Sequence, residues 1–111
     1  MFKIVEAEVW EAIEGQPSWE GSPLDRRDGF IHLSTAEQVE TTLERHFSGR
    51  SGLVLLELDP SGWTSEILRW EQAPRGGCYP HLYGPLELDR VRRIHVLELD
   101  ADGRHVRPDI G

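Results

Sequence analysis

Residues 53–58, Leu53-Val54-Leu55-Leu56-Glu57-Leu58, are nearly all apolar, and Gly52 and Asp59-Pro60 bound them. A run this short suits a central β-strand, because helices need about ten or more residues and Gly and Pro mark both ends. A chain of 111 residues supports one core and leaves no room for a separate cofactor domain. The run is therefore the expected core element of a single domain over residues 1–111, and any active site must be compact.

The rest of the chain reads as short elements around that strand. Residues 2–5 form a strand and residues 7–14 a helix that Gly15 ends; residues 15–28, with Pro17, Gly21, Ser22 and Pro23, are expected to be a long loop. Residues 29–33 are a short strand. Ser34-Thr35-Ala36-Glu37 has the layout of a capping box in which Ser34 accepts from the Glu37 N–H. Ala36, Val39, Leu43 and Phe47 then line one stripe of the helix it opens. Residues 67–70 are a strand, and residues 86–91 a strand followed by a helical turn. Residues 94–99 are a strand that Ala101-Asp102-Gly103 turns back toward His105-Val106, so that residues 100–111 form a hairpin or a loose tail. Five or six strands with two helices in the N-terminal half give an α+β fold with mainly antiparallel sheets.

The formal net charge of −8 argues against non-specific binding to nucleic acid, whose phosphates this surface would repel. The bases concentrate late: residues 1–61 hold 12 acidic and 5 basic groups, residues 62–111 hold 8 and 7. Arg69, Arg75, Arg90, Arg92 and Arg93 either gather into an anion site or form a solvated surface. Cys78 is the sole cysteine, which rules out an internal disulfide. No stretch approaches the roughly 20 apolar residues of a membrane span, and the first residues lack a signal layout. The expectation is a cytoplasmic protein without membrane contact, its oligomeric state open.

Chemistry concentrates in two segments, Gly29-Phe30-Ile31-His32-Leu33-Ser34 and Tyr79-Pro80-His81-Leu82-Tyr83-Gly84. Each places a histidine near a hydroxyl and is bounded by residues that turn the backbone, so the two are read as two walls of one small-molecule site. Each candidate also has a structural explanation. His32 suits a buried histidine bonded to backbone, Ser34 a helix cap, and Tyr83-Gly84-Pro85 a corner. Arg69 and Glu71 share one face of a strand, where they form an ion pair or offer Arg69 to a phosphate. Asp28, with Arg26 and Arg27, lies in a loop that suits either a flap over ligand or a polar turn. Cys78, three residues from His81, is a weak nucleophile candidate. The five histidines lack metal-type spacing, so no metal site is expected.

The succession Asp28-Gly29-Phe30-Ile31-His32-Leu33-Ser34-Thr35, Leu55-Leu56-Glu57-Leu58-Asp59, Leu68-Arg69-Trp70-Glu71 and Pro80-His81-Leu82-Tyr83-Gly84-Pro85-Leu86 resembles an uncharacterised bacterial family, domain of unknown function 952. The resemblance runs from Lys3-Ile4-Val5 to about Ile94. It implies a fold similar to ADP-ribosyltransferases, with two antiparallel sheets around a cleft that holds NAD as substrate or ligand. It further implies that His32-Leu33-Ser34 stands at that superfamily's His-x-Ser/Thr position, with His81 and Tyr83 across the cleft. On this reading His32, His81 and Tyr83 are the catalytic candidates, and His32, Ser34, Arg69, Glu71, His81 and Tyr83 bind a nucleotide-like ligand. Glu57, Glu71 and Glu87 are candidates for a catalytic carboxylate, though none matches an enzyme motif. Two other classes stay open: a non-catalytic metabolite-binding module, and a hydrolase or transferase with His32 and His81 as acid and base.

Overall fold

The computed structural model describes residues 1–110. The chain runs β1 (Phe2–Glu6), α1 (Ala7–Ile13), β2 (Ser18–Trp19), α2 (Pro23–Asp28), β3 (Ile31–His32), a 3-10 turn (Ala36–Gln38), α3 (Val39–His46), β4 (Leu53–Leu58), β5 (Leu68–Gln72), β6 (Cys78–Leu82), β7 (Leu86–Glu87), a second 3-10 turn (Leu88–Arg90) and β8 (Val91–Leu97). All strand pairs are antiparallel, in sheets ordered β1-β4-β8, β3-β6-β5 and β2-β7.

The apolar run 53–58 is the middle strand of the first sheet, as its composition requires. Period-two alternation divides its side chains between two clusters. Leu53 and Leu55, with Phe2, Ile4 and Leu97, pack on Val39 and Leu43 of α3. Val54, Leu56 and Leu58 face the other way, onto Ile13 of α1 and onto Ile31, Leu82 and Leu86 of the smaller sheets. β4 is thus covered on both faces, with Glu57 its one polar residue, while the edge strand β8 leaves Ile94 and Val96 exposed. The β3-β6-β5 sheet contributes one face to this core and keeps the other for polar groups.

Three expectations need correction. Residues 15–28 are not an open loop but carry β2 and α2, so the first 46 residues hold three helices rather than two. The six residues of α2 are too few to show a helical period; its marks are a Ser22 N-cap, Pro23 at the first turn, Asp25 at N3 and Gly29 in the left-handed conformation at its end. The capping box before α3 is built one residue later than expected. Gln38 N donates to Thr35 Oγ1 (3.3 Å) while Thr35 N donates to Gln38 Oε1 (3.1 Å). The motif fits both registers, and Ser34 is lost to the cap because its backbone exchanges two hydrogen bonds with Phe2 (2.8 and 2.9 Å). Third, the described residues hold eight strands rather than five or six, three of them only two residues long.

At the C-terminal end the expected hairpin is present as one bridge, Leu99 with His105, closed by Val106 N donating to Glu98 O (2.8 Å); the last residue of that segment, Gly111, lies outside the described residues. No helix among the described residues is long and apolar enough to cross a membrane.

Candidate functional site

Because antiparallel partners point the same way, register decides what the polar face of β3-β6-β5 carries. His81 on β6 stands directly opposite His32 on β3 and Arg69 on β5. Glu71 and Tyr83, two residues further along their chains, fall on the same face. The two histidine segments are therefore neighbours in one wall, not two walls facing each other. Cys78, at the opposite parity to His81, belongs to the other face of the strand.

His32 is held by α2. The Ser22 cap and the left-handed Gly29 fix this helix so that Asp25 lies beneath the His32 ring, with His32 Nδ1 2.6 Å from Asp25 Oδ1, and Asp28 Oδ2 3.1 Å from Nε2. Asp25 is 1% exposed, yet its oxygens also accept from Ser22 N (2.9 Å), His32 N (3.1 Å) and Lys3 Nζ, the last reaching in from β1 at 2.8 Å. Lys3 Nζ also donates to His32 O (3.0 Å). Burial alone would raise the Asp25 pKa; the hydrogen bond from His32, the Lys3 charge and hydrogen bond, and the Ser22 N–H together hold it well below the usual carboxylate range. Gly21 (φ +106°) permits this close packing, since a Cβ there would come within 2.7 Å of Asp25 Cβ.

His81 is held from β5. Its Nδ1 is 2.8 Å from Glu71 Oε1, and the same oxygen accepts from the Tyr83 hydroxyl at 2.6 Å. The hydrogen bonds from Tyr83 and His81 lower the Glu71 pKa, and that from Tyr83 to Glu71 raises the Tyr83 pKa. The Arg69 guanidinium lies over the Tyr83 ring, 4.2 Å from its centre. Arg69 and Glu71 thus make no direct ion pair; both act on Tyr83. Phe30 stacks on His81 with ring centres 4.0 Å apart and planes at 17°, and sits 4.6 Å from His32; the two imidazoles are 5.5 Å apart. Stacking covers a ring's face and leaves its in-plane nitrogens open.

A cavity of about 900 Å3 opens on this wall, lined by His32, Ser34 and His81, whereas Tyr83, Arg69 and Glu71 do not reach it. Ser34 is buried there with its Oγ 3.0 Å from Thr42 Oγ1. Arg26, Arg45, His46 and Arg75 also line it, as do Lys3, Arg27 and Arg50, which pair with Asp25, Asp28 and Glu6. Among the described residues no carboxylate lies within ion-pair distance of Arg26, Arg45 or Arg75. Burial, and the positive charges of Arg75, His32 and Arg45, lower the His46 pKa.

Of the two readings of the late basic groups, an anion site or a solvated surface, the structure shows no gathering of the five into one site. Arg90 pairs with Glu87 and donates to the Asp59 and Ser61 carbonyls, and Arg92 pairs with Asp59; of that set only Arg75 reaches the cavity. Glu57 is tied to His95 (3.0 Å) and Glu87 to Arg90 (2.8 Å), which leaves Glu71 as the one glutamate of the three beside a site histidine. Of the carboxylates that line the cavity, Glu6, Asp25 and Asp28, the two aspartates were legible only as part of the supposed loop. Lys3, Thr42, Arg45 and His46 carried no local signal, because β1 and α3 bring them in from elsewhere. Among the described residues no group of three or more His, Cys, Asp or Glu is arranged to hold a metal ion.

The family described as "Protein of unknown function (DUF952)" matches residues 4–94. The crystal structure of protein CC0527 from Caulobacter crescentus superposes with a TM-score of 0.84 at 42% identity, covering 95% of this chain and 91% of that one. Its solution NMR structure gives 0.82 at 43%, covering 93% and 88%. No curated protein matches the chain.

Proposed function

The chain belongs to the DUF952 family, and from that premise we propose that its cavity binds NAD, ADP-ribose or a related phosphate-bearing nucleotide. The observation that carries this reading is the set of arginines with no carboxylate partner among the described residues, Arg26, Arg45 and Arg75, lining one cavity in a chain whose acidic groups outnumber its basic ones 20 to 12. Guanidinium groups pair with phosphate oxygens in a bidentate manner and gain most where no internal carboxylate competes. The volume of about 900 Å3 lies within the range of small-molecule and cofactor sites.

On this reading His32 and Ser34 contact ribose hydroxyls, and Phe30 and His81 offer stacked rings to a base. Tyr83, Arg69 and Glu71 serve the ligand through His81. The same reading takes the antiparallel sheets beside the cavity as an ADP-ribosyltransferase-like arrangement. Either NAD or ADP-ribose should raise the melting temperature, since a ligand at 100 times its Kd stabilises by about 2.7 kcal/mol. His32→Ala should remove most of that shift. An unchanged melting temperature at millimolar concentrations of both ligands defeats the proposal.

A further inference from the structure

We infer that His32 and His81 are the general acid and general base for hydrolysis of a phosphoric diester held in this cavity. The inference rests on the nucleotide reading of the cavity and names the substrate class. Each imidazole is backed by a carboxylate, but the two are placed differently. His32 faces acceptors on both nitrogens, Asp25 at Nδ1 and Asp28 at Nε2. Two acceptors are satisfied together only by the imidazolium, which has two N–H donors and a proton to give. His81 faces one carboxylate, Glu71 at Nδ1. Its Nε2 has no protein partner among the described residues and is not sealed from solvent, so Nδ1–H pairs with Glu71 and the Nε2 lone pair is left to take a proton.

The step balances. Water attacks phosphorus in line with the leaving oxygen, and its proton passes to His81 Nε2 as the new P–O bond forms. The P–O bond to the leaving alkoxide breaks, and His32 Nε2–H, released from Asp28, protonates that oxygen. The products are a phosphoric monoester and an alcohol; transfer of the proton from His81 through solvent to His32 restores both groups. The two rings, 5.5 Å apart on one wall, allow one phosphoryl group to lie between nitrogens at hydrogen-bond reach, about 2.6–3.2 Å each. Arg26, Arg45 and Arg75 supply charge for the phosphoryl oxygens.

The leaving group selects the diester. An alkoxide is a poor leaving group without a proton, so an acid opposite a base accelerates its departure. A pyrophosphate linkage expels a phosphate, and a nicotinamide glycoside expels a neutral base; neither needs the proton that His32 holds. Glu71, with Tyr83 on the same oxygen, is a positioning residue that fixes the His81 tautomer.

The test is hydrolysis of bis(nitrophenyl) phosphate and of the two isomeric adenosine cyclic monophosphates, followed by phosphorus NMR, with ADP-ribose thermal shift measured on the same samples. The chain should convert at least one probe to its monoester. On the cyclic monophosphates, whose leaving oxygen is an alkoxide, His81→Ala and His32→Asn, the latter keeping a donor for Asp25, should each lower kcat about 100-fold or more; on bis(nitrophenyl) phosphate, whose nitrophenolate leaves without a proton, only His81→Ala should. Glu71→Gln should lower kcat with KM held, a split that a merely structural role would not give. Hydrolysis without an ADP-ribose shift supports the acid–base pair and counts against the NAD reading alone. No hydrolysis of any probe, with the ADP-ribose shift intact, overturns the pair and leaves nucleotide binding standing; no hydrolysis and no shift overturn both.

Discussion

The two three-stranded sheets lean on one core but are held together differently. In β1-β4-β8 the central strand is covered on both faces with apolar side chains, and Leu55 and Leu56 are fully buried. Each such side chain stabilises by about 1.5–3 kcal/mol through non-directional burial. In β3-β6-β5 one face joins the core, while the other carries His32 and His81, each tied to a carboxylate. There the contacts are directional and the charges partly desolvated, so the sum contributes little, yet losing one partner strands the other. The lesson is that the first sheet tolerates a change of shape better than the second tolerates a change of charge.

Near-isosteric substitutions probe that contrast. Asp25→Asn keeps the volume but leaves the Lys3 ammonium buried without its counter-ion, and should destabilise by about 3–5 kcal/mol in urea unfolding. A loss below that of any conservative core change would break the comparison. The same carboxylate sets an acid limb. Its folded pKa lies below the unfolded one, so its contribution is complete above about pH 4 and disappears as pH falls through the folded value. The urea midpoint should decline over that window, and Asp25→Asn should flatten the decline. Leu55→Met, in the middle of the doubly covered strand, should cost less than about 1.5 kcal/mol because volume is conserved. Smallest of the set, Thr35→Ala should cost about 1 kcal/mol through loss of the cap, whereas Ser34→Ala should leave that cap intact.

The contrast also explains what was legible in the sequence. β4 could be read with its ends because a doubly buried strand is written in consecutive apolar residues. His32 and His81 could be paired as one site because both segments alternate apolar and polar residues, although alternation alone did not tell one wall from two. The helix α2 escaped notice because six residues give no period. With it went Asp25, the buried partner of His32, which looked like one more polar residue in a loop. Lys3 reads as an ordinary strand residue until Asp25 is placed beneath it. Arg45 and His46 look like the solvated end of a helix until the packing of α3 on β1-β4-β8 turns them to the cavity. Long-range desolvation of charge leaves no local pattern, so the directional half of the molecule was the harder half to read.

The central claim is that Arg26, Arg45 and Arg75, without an ion-pair partner among the described residues, make the cavity a phosphate site. Calorimetric titration of ADP-ribose into the wild-type chain and into an Arg45→Ala, Arg75→Ala double variant tests it most directly. The account predicts saturable binding to the wild type, weakened about tenfold or more in the variant, since charge-assisted bonds to phosphate are each worth roughly 1.5–3 kcal/mol. Equal affinity in the two proteins, or no binding to either, contradicts it.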